Sequence, residues 1–144
     1  MTATVNVPTP SPRTYRPLFD SSDSLLRFAM RADATLCAGL GLLLAMAADP
    51  LSRLSGLSAT SEWLAGAALV VYGVALYVMA AVPFVRRIGI GIVVANVVFA
   101  VAVVAVVAAG VLPLTGMGVA IMLATVAATL GLAYLQYLGV RRLA

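Results

Sequence analysis

Of five acidic residues in 144, one stands where acids are costly. Asp33 lies in RFAMRADATLCAGLGLLLAMAAD (27–49), about eight residues or roughly 12 Å into an apolar run. An ionised carboxylate deep in such a run costs about 2.5–3.5 kcal/mol, somewhat less near an interface. Its neighbours on the same helical face, Ala29, Met30, Leu36 and Cys37, offer no cation. Arg27 and Arg31, four apart with Asp23 one turn earlier, can snorkel to the headgroups. Asp33 must instead turn inward and find a partner, or be protonated. A carboxylate so placed has two uses: it ties helices together, or it takes up a proton or small ligand from the cytoplasmic side.

Partners at matching depth occur on the other apolar runs. Asn96 and Gln136 interrupt two of them, and Tyr77 sits near the end of a third, with Tyr134 and Tyr137 close to Gln136. Arg86, Arg87 and Arg141 flank that layer and can reach toward Asp33. The expected cluster is Asp33, Asn96, Gln136 and Tyr77, with Arg31 or another arginine from a helix end. Its plain reading is interhelical adhesion; its functional reading is a proton or ligand site.

The elements that must position these groups are membrane helices. The chain is 63% hydrophobic and 10% charged, with mean hydropathy +1.10, against about a quarter charged in a soluble domain. The expected fold is all-α, a four-transmembrane-helix bundle, with spans at about 25–48, 62–84, 88–112 and 116–140. Each is long enough to cross a hydrocarbon core of about 30 Å, and a helix satisfies its own backbone in lipid. Asp49-Pro50, Pro83 and Pro113 close the first three, Arg141-Arg142 the fourth, and Ser22, Asp23 and Ser24 offer a cap to the first. Residues 1–23, with four prolines among Ser and Thr, read as a disordered cytoplasmic tail before the domain at 24–144.

Arginine placement orients the spans. Arg13, Arg16, Arg27, Arg31, Arg86, Arg87, Arg141 and Arg142 fall on one side and Arg53 on the other, which places both termini in the cytoplasm and the chain in a bacterial inner membrane. The same placement explains a pI near 9.8 through topology and lipid headgroups, not nucleic acid. Ala45-Met46-Ala47 resembles a signal-peptidase site, but the Pro-rich leader and the charges at Arg31 and Asp33 oppose cleavage.

The outer loop DPLSRLSGLSATS (49–61) spaces Leu51, Leu54 and Leu57 three apart after Pro50, the pattern of a short interfacial helical turn. Glu62 suits the helix N-terminus that follows and Trp63 an interface anchor. Small residues at Ala120, Ala124 and Ala128, at Ala127 and Gly131, and at Gly39, Gly41, Gly66 and Gly73 permit close helix approach. Cys37, the single cysteine, reads as a small buried hydrophobe.

Catalytic, cofactor and metal chemistry find no footing. The chain has no histidine, no phosphate-binding or dinucleotide glycine motif and no CxxC pair. Expected catalytic, cofactor-binding and metal-ligating residues are therefore none.

LLRFAMRADATLCAGLGLLL, DPLSRLSGL, VVANVVFAVA and LAYLQYLGVRR, over about residues 24–142, resemble a family of small, uncharacterised four-span integral membrane proteins of actinobacteria. Arg31-x-Asp33, Ala95-Asn96 and Leu135-Gln136-Tyr137 carry most of the likeness. It implies the fold and topology and no activity. The expectation is a non-enzymatic structural or accessory membrane protein whose partners are the lipid bilayer and a second copy or a larger membrane protein. The alternatives are a small proton-coupled transporter working through Asp33 and a quinone-linked four-helix enzyme subunit.

Overall fold

A computed structural model describes residues 21–143 as five helices: α1 (Ser21–Met46), α2 (Ala48–Ser55), α3 (Ala59–Met79), α4 (Val85–Ala109) and α5 (Gly116–Arg141). The four long ones are apolar and long enough to cross a membrane. Residues 1–20 of the expected tail lie outside the described residues, whereas 21–23 already belong to α1. Asp23 accordingly lies in the first turn of α1.

Three helix ends obey one steric rule. α1, α3 and α4 stop at Met46, Met79 and Ala109, each four residues before a proline: Pro50, Pro83 and Pro113. A proline ring clashes with the carbonyl four residues back and brings no N–H to it. The expected ends at 48, 84 and 112 were therefore too late, because proline acts a full turn upstream of itself. Gly110, at φ 63°, closes α4. At the starts, Ser58 Oγ accepts from Ser61 N at 3.1 Å and Thr115 Oγ1 from Gly118 N at 3.0 Å, the usual side-chain caps. α3 thus opens three residues before the expected 62; α4, which has no side-chain cap, also opens three before the expected 88.

Pro50 falls at the third position of α2, where its missing N–H still costs little. The outer loop is helical over the eight residues of α2, which ends at Gly56 with φ 87°. A Cβ there would sit 2.1 Å from Pro113 O, so this turn has both a conformational and a steric need for glycine.

α1 is the central element. It packs along α3 on one side and α5 on the other, and α4 packs mainly on α5. The α1–α3 seam depends on Gly41, Gly66 and Gly73: a Cβ on Gly41 would lie 2.6 Å from Gly66 O, and one on Gly73 2.7 Å from Ala34 O. Backbones approach this closely only without side chains between them. Gly39 and Gly131, by contrast, have open space around them, and Ala120, Ala124, Ala127 and Ala128 are exposed. The small-residue stripe of α5 therefore faces outward. Gly139 makes the close approach instead, lying against Leu26.

Toward the arginine-rich end, Leu26, Met30, Leu76, Ala80, Val85, Ile92 and Val140 form a buried apolar cluster that also includes Ala34. Elsewhere the helices face outward: only 17–28% of the most apolar window of each span is buried inside the chain. The remaining apolar surface requires lipid or protein against it. Trp63 is exposed at the start of α3, where an interfacial anchor belongs. The chain is a multi-pass membrane protein.

Candidate functional site

The site starts from one buried carboxylate. Asp33 is 3% exposed and Gln136 is 0%, with Asn96 also buried. Gln136 Nε2 donates to Asp33 Oδ2 at 2.8 Å, and Asn96 Nδ2 donates to the same oxygen at 3.3 Å. Asn96 Nδ2 also donates to Gln136 Oε1 at 3.1 Å. Three spans (α1, α4 and α5) thereby share one network, and its centre is Asp33 Oδ2.

The fourth span enters through Tyr72, not Tyr77. Tyr72 Oη donates to Asn96 Oδ1 at 3.1 Å. Tyr77 is 56% exposed and stands outside the cluster in which the sequence placed it. The two tyrosines flank opposite sides of the α3 stripe that carries Gly66, Gly73, Leu76 and Ala80, all buried. α4 lies on the Tyr72 side. Spacing alone does not say which flank meets α4; the order of helices around the bundle does.

Cys37 is the member that the residue types concealed. Its Sγ–H donates to Asp33 Oδ1 at 3.3 Å, one turn along α1, and the residue is only half-buried. The i,i+4 spacing to Asp33 was the available signal. A thiol is a weak donor, so Oδ1 is the less well-held oxygen of the carboxylate.

No arginine among the described residues joins the cluster. Among the described residues the one ion pair is Arg27 Nε to Asp23 Oδ2 at 2.9 Å. The Nη1 of Arg27 donates to Ala80 O at 2.7 Å and Val82 O at 3.1 Å, satisfying carbonyls just past the end of α3. Arg31 is exposed, as are Arg86, Arg87, Arg141 and Arg142. Arg141 lies over the Tyr137 ring, 5.8 Å from its centroid, a cation–π distance. The expected arginine partner is thus absent from the network: Arg27 is held by carbonyls and Arg141 by a ring near their own ends, and the other described arginines are exposed. The site does not open to the arginine-rich side either. Leu26, Met30, Leu76 and Ile92, all buried, stand between it and that surface.

Every polar group in the cluster has a partner inside it, and among the described residues no buried side-chain nitrogen or oxygen is left unpaired. The carboxylate has no counter-charge among the described residues. The arrangement can hold a carboxylate and lock four helices in register.

A second buried acid closes the opposite end. Ser55 Oγ donates to Glu62 Oε1 and accepts from Leu57 N at 3.1 Å, while Ser55 O accepts from Thr115 N at 2.9 Å. Thr115 Oγ1 donates to Leu54 O. Glu62 is therefore more than a helix-terminal charge: it ties the α2–α3 turn to the α4–α5 turn through Ser55.

Against known proteins, the chain matches no family model, no curated protein and no solved structure. The likeness to small actinobacterial four-span proteins rests on the quoted motifs alone.

Proposed function

We propose that the chain is a non-enzymatic structural or accessory membrane subunit with both termini in the cytoplasm of a bacterial cell. The observation that carries this reading is the network of Asp33, Asn96, Gln136 and Tyr72, whose hydrogen-bonding groups are satisfied by one another. Such a closed network fixes which helix lies beside which, with contributions of about 0.6–2 kcal/mol per bond in membranes. The spans meanwhile leave most of their apolar surface outward, including the small-residue stripe of α5, where a second copy or a larger membrane protein can pack closely.

Affinity purification of the full chain from native membranes in mild detergent tests the reading. A stoichiometric partner or a defined homo-oligomer is the expected result. A monomer that by itself moves a solute or converts a substrate would overturn it.

A transporter working through Asp33 is the second reading, and the uncompensated charge of that residue favours it. Solute flux in vesicles, lost in Asp33→Asn, is its signature.

A further inference from the structure

The buried carboxylate of Asp33 has no counter-charge among the described residues. Among the described residues no guanidinium comes within 4.0 Å of it. The groups that face it are neutral: Cys37 from α1, Asn96 from α4, Gln136 from α5, and behind Asn96 the hydroxyl of Tyr72 from α3. Cys37 and Tyr72 are the titratable ones, and either would add negative charge on ionising. A buried carboxylate without a counter-charge is costly enough, even when hydrogen-bonded, that something must neutralise it.

We propose that Asp33 is an exchange site for one monovalent cation, a proton or Na⁺. The inference rests on reading these helices as membrane spans around a closed network, and deepens that reading. The two oxygens of the carboxylate are unequal in a way that suits the task. Oδ2 accepts from both amides, while Oδ1 meets only the thiol of Cys37. A proton on Oδ1 requires the thiol rotor to turn aside and leaves both amide bonds intact. For Na⁺, the oxygens of Asn96 and Gln136, each already within the cluster, turn toward Asp33 by rotation of their amide planes. In both cases Asp33 supplies the charge; the thiol of Cys37 yields to a proton, and the amides turn for Na⁺.

Dicyclohexylcarbodiimide is the probe, because it is apolar and reacts with carboxyls in lipid-like surroundings. The carboxyl O–H adds across one C=N bond: oxygen bonds to the central carbon and the proton goes to nitrogen. The acyl group then moves from oxygen to nitrogen, leaving an N-acylurea with nothing expelled. The full chain, in detergent and in lipid vesicles, is treated in sodium-free buffer and in NaCl, and peptides are read by mass spectrometry. An adduct on Asp33 is expected in the native protein and in Glu62→Gln, and not in Asp33→Asn. Labelling unchanged by NaCl assigns the proton; labelling suppressed several-fold by NaCl, not by a choline salt, assigns Na⁺. Thermal unfolding of each variant in detergent shows that it is folded. Folded protein with no Asp33 adduct in either buffer, and with no Na⁺-dependent rise in unfolding temperature, would overturn the proposal. The accessory reading is judged separately, by the purification experiment.

Discussion

Single side chains decide how the cluster holds. Gln136 makes the shortest bond to Asp33, at 2.8 Å, and removing it leaves a buried carboxylate short of a donor, a loss worth about 1–3 kcal/mol. Gln136→Leu should therefore lower the unfolding temperature in detergent clearly. A double-mutant cycle with Asp33→Asn should show coupling of about 0.6–2 kcal/mol; additive effects would mean that the bond carries nothing. The tyrosines make a cleaner contrast. Tyr72→Phe should cost about 1 kcal/mol by orphaning Asn96 Oδ1, whereas Tyr77→Phe, at an outward position, should leave the melting curve where it was. Asp33, Asn96 and Gln136 were legible because a polar group inside an apolar helix has few alternatives to meeting another. Tyr72 and Cys37 were not, since an aromatic ring or a thiol is equally at home against lipid or in a core.

Helices depend on spacing rules that residue type alone does not reveal. Proline positions were read correctly as stops, yet each stop lies four residues upstream, at Met46, Met79 and Ala109, because the clash is with the carbonyl one turn back. Glycines were read as permissive without showing which of them a neighbour would use. Gly41→Ala places a Cβ 2.6 Å from Gly66 O and should push α1 and α3 apart at a cost of about 1–3 kcal/mol. Gly39→Ala, on the same helix with open space around it, should be neutral or slightly stabilising through helix propensity. Comparing the two by thermal melts separates the packed face of α1 from its lipid-facing one. The face that packs is set by where α3 lies, and the nearly uniform hydrophobicity of both helices hides this: when lipid and core are equally apolar, periodicity loses its contrast.

At the scale of the whole molecule, the arginines predict an orientation and side-chain hydrogen bonds close both ends. In a Cys37→Ala background, Arg53→Cys should react with a membrane-impermeant maleimide in intact cells, and Arg142→Cys should react only after lysis. The opposite pattern would invert the topology. Glu62→Gln should loosen the far end, because Ser55 then donates to a neutral amide where it met a carboxylate, a bond roughly half as strong. The readout is faster amide exchange across the α2–α3 and α4–α5 turns, with the Asp33 cluster unaffected.

Asp33 sits behind an apolar plug, so a cation that reached it from the arginine-rich side would cross that plug and part of the bilayer. Counted from Arg27, six residues of α1 correspond to about 9 Å, close to a third of a hydrocarbon core of about 30 Å. Carrying one elementary charge across the full membrane is worth about 2.3 kcal/mol per 100 mV. A third of that distance makes occupancy answer to voltage by roughly 0.8 kcal/mol per 100 mV, about a fourfold change in binding. An energised cell and a depolarised one would then load this carboxylate differently.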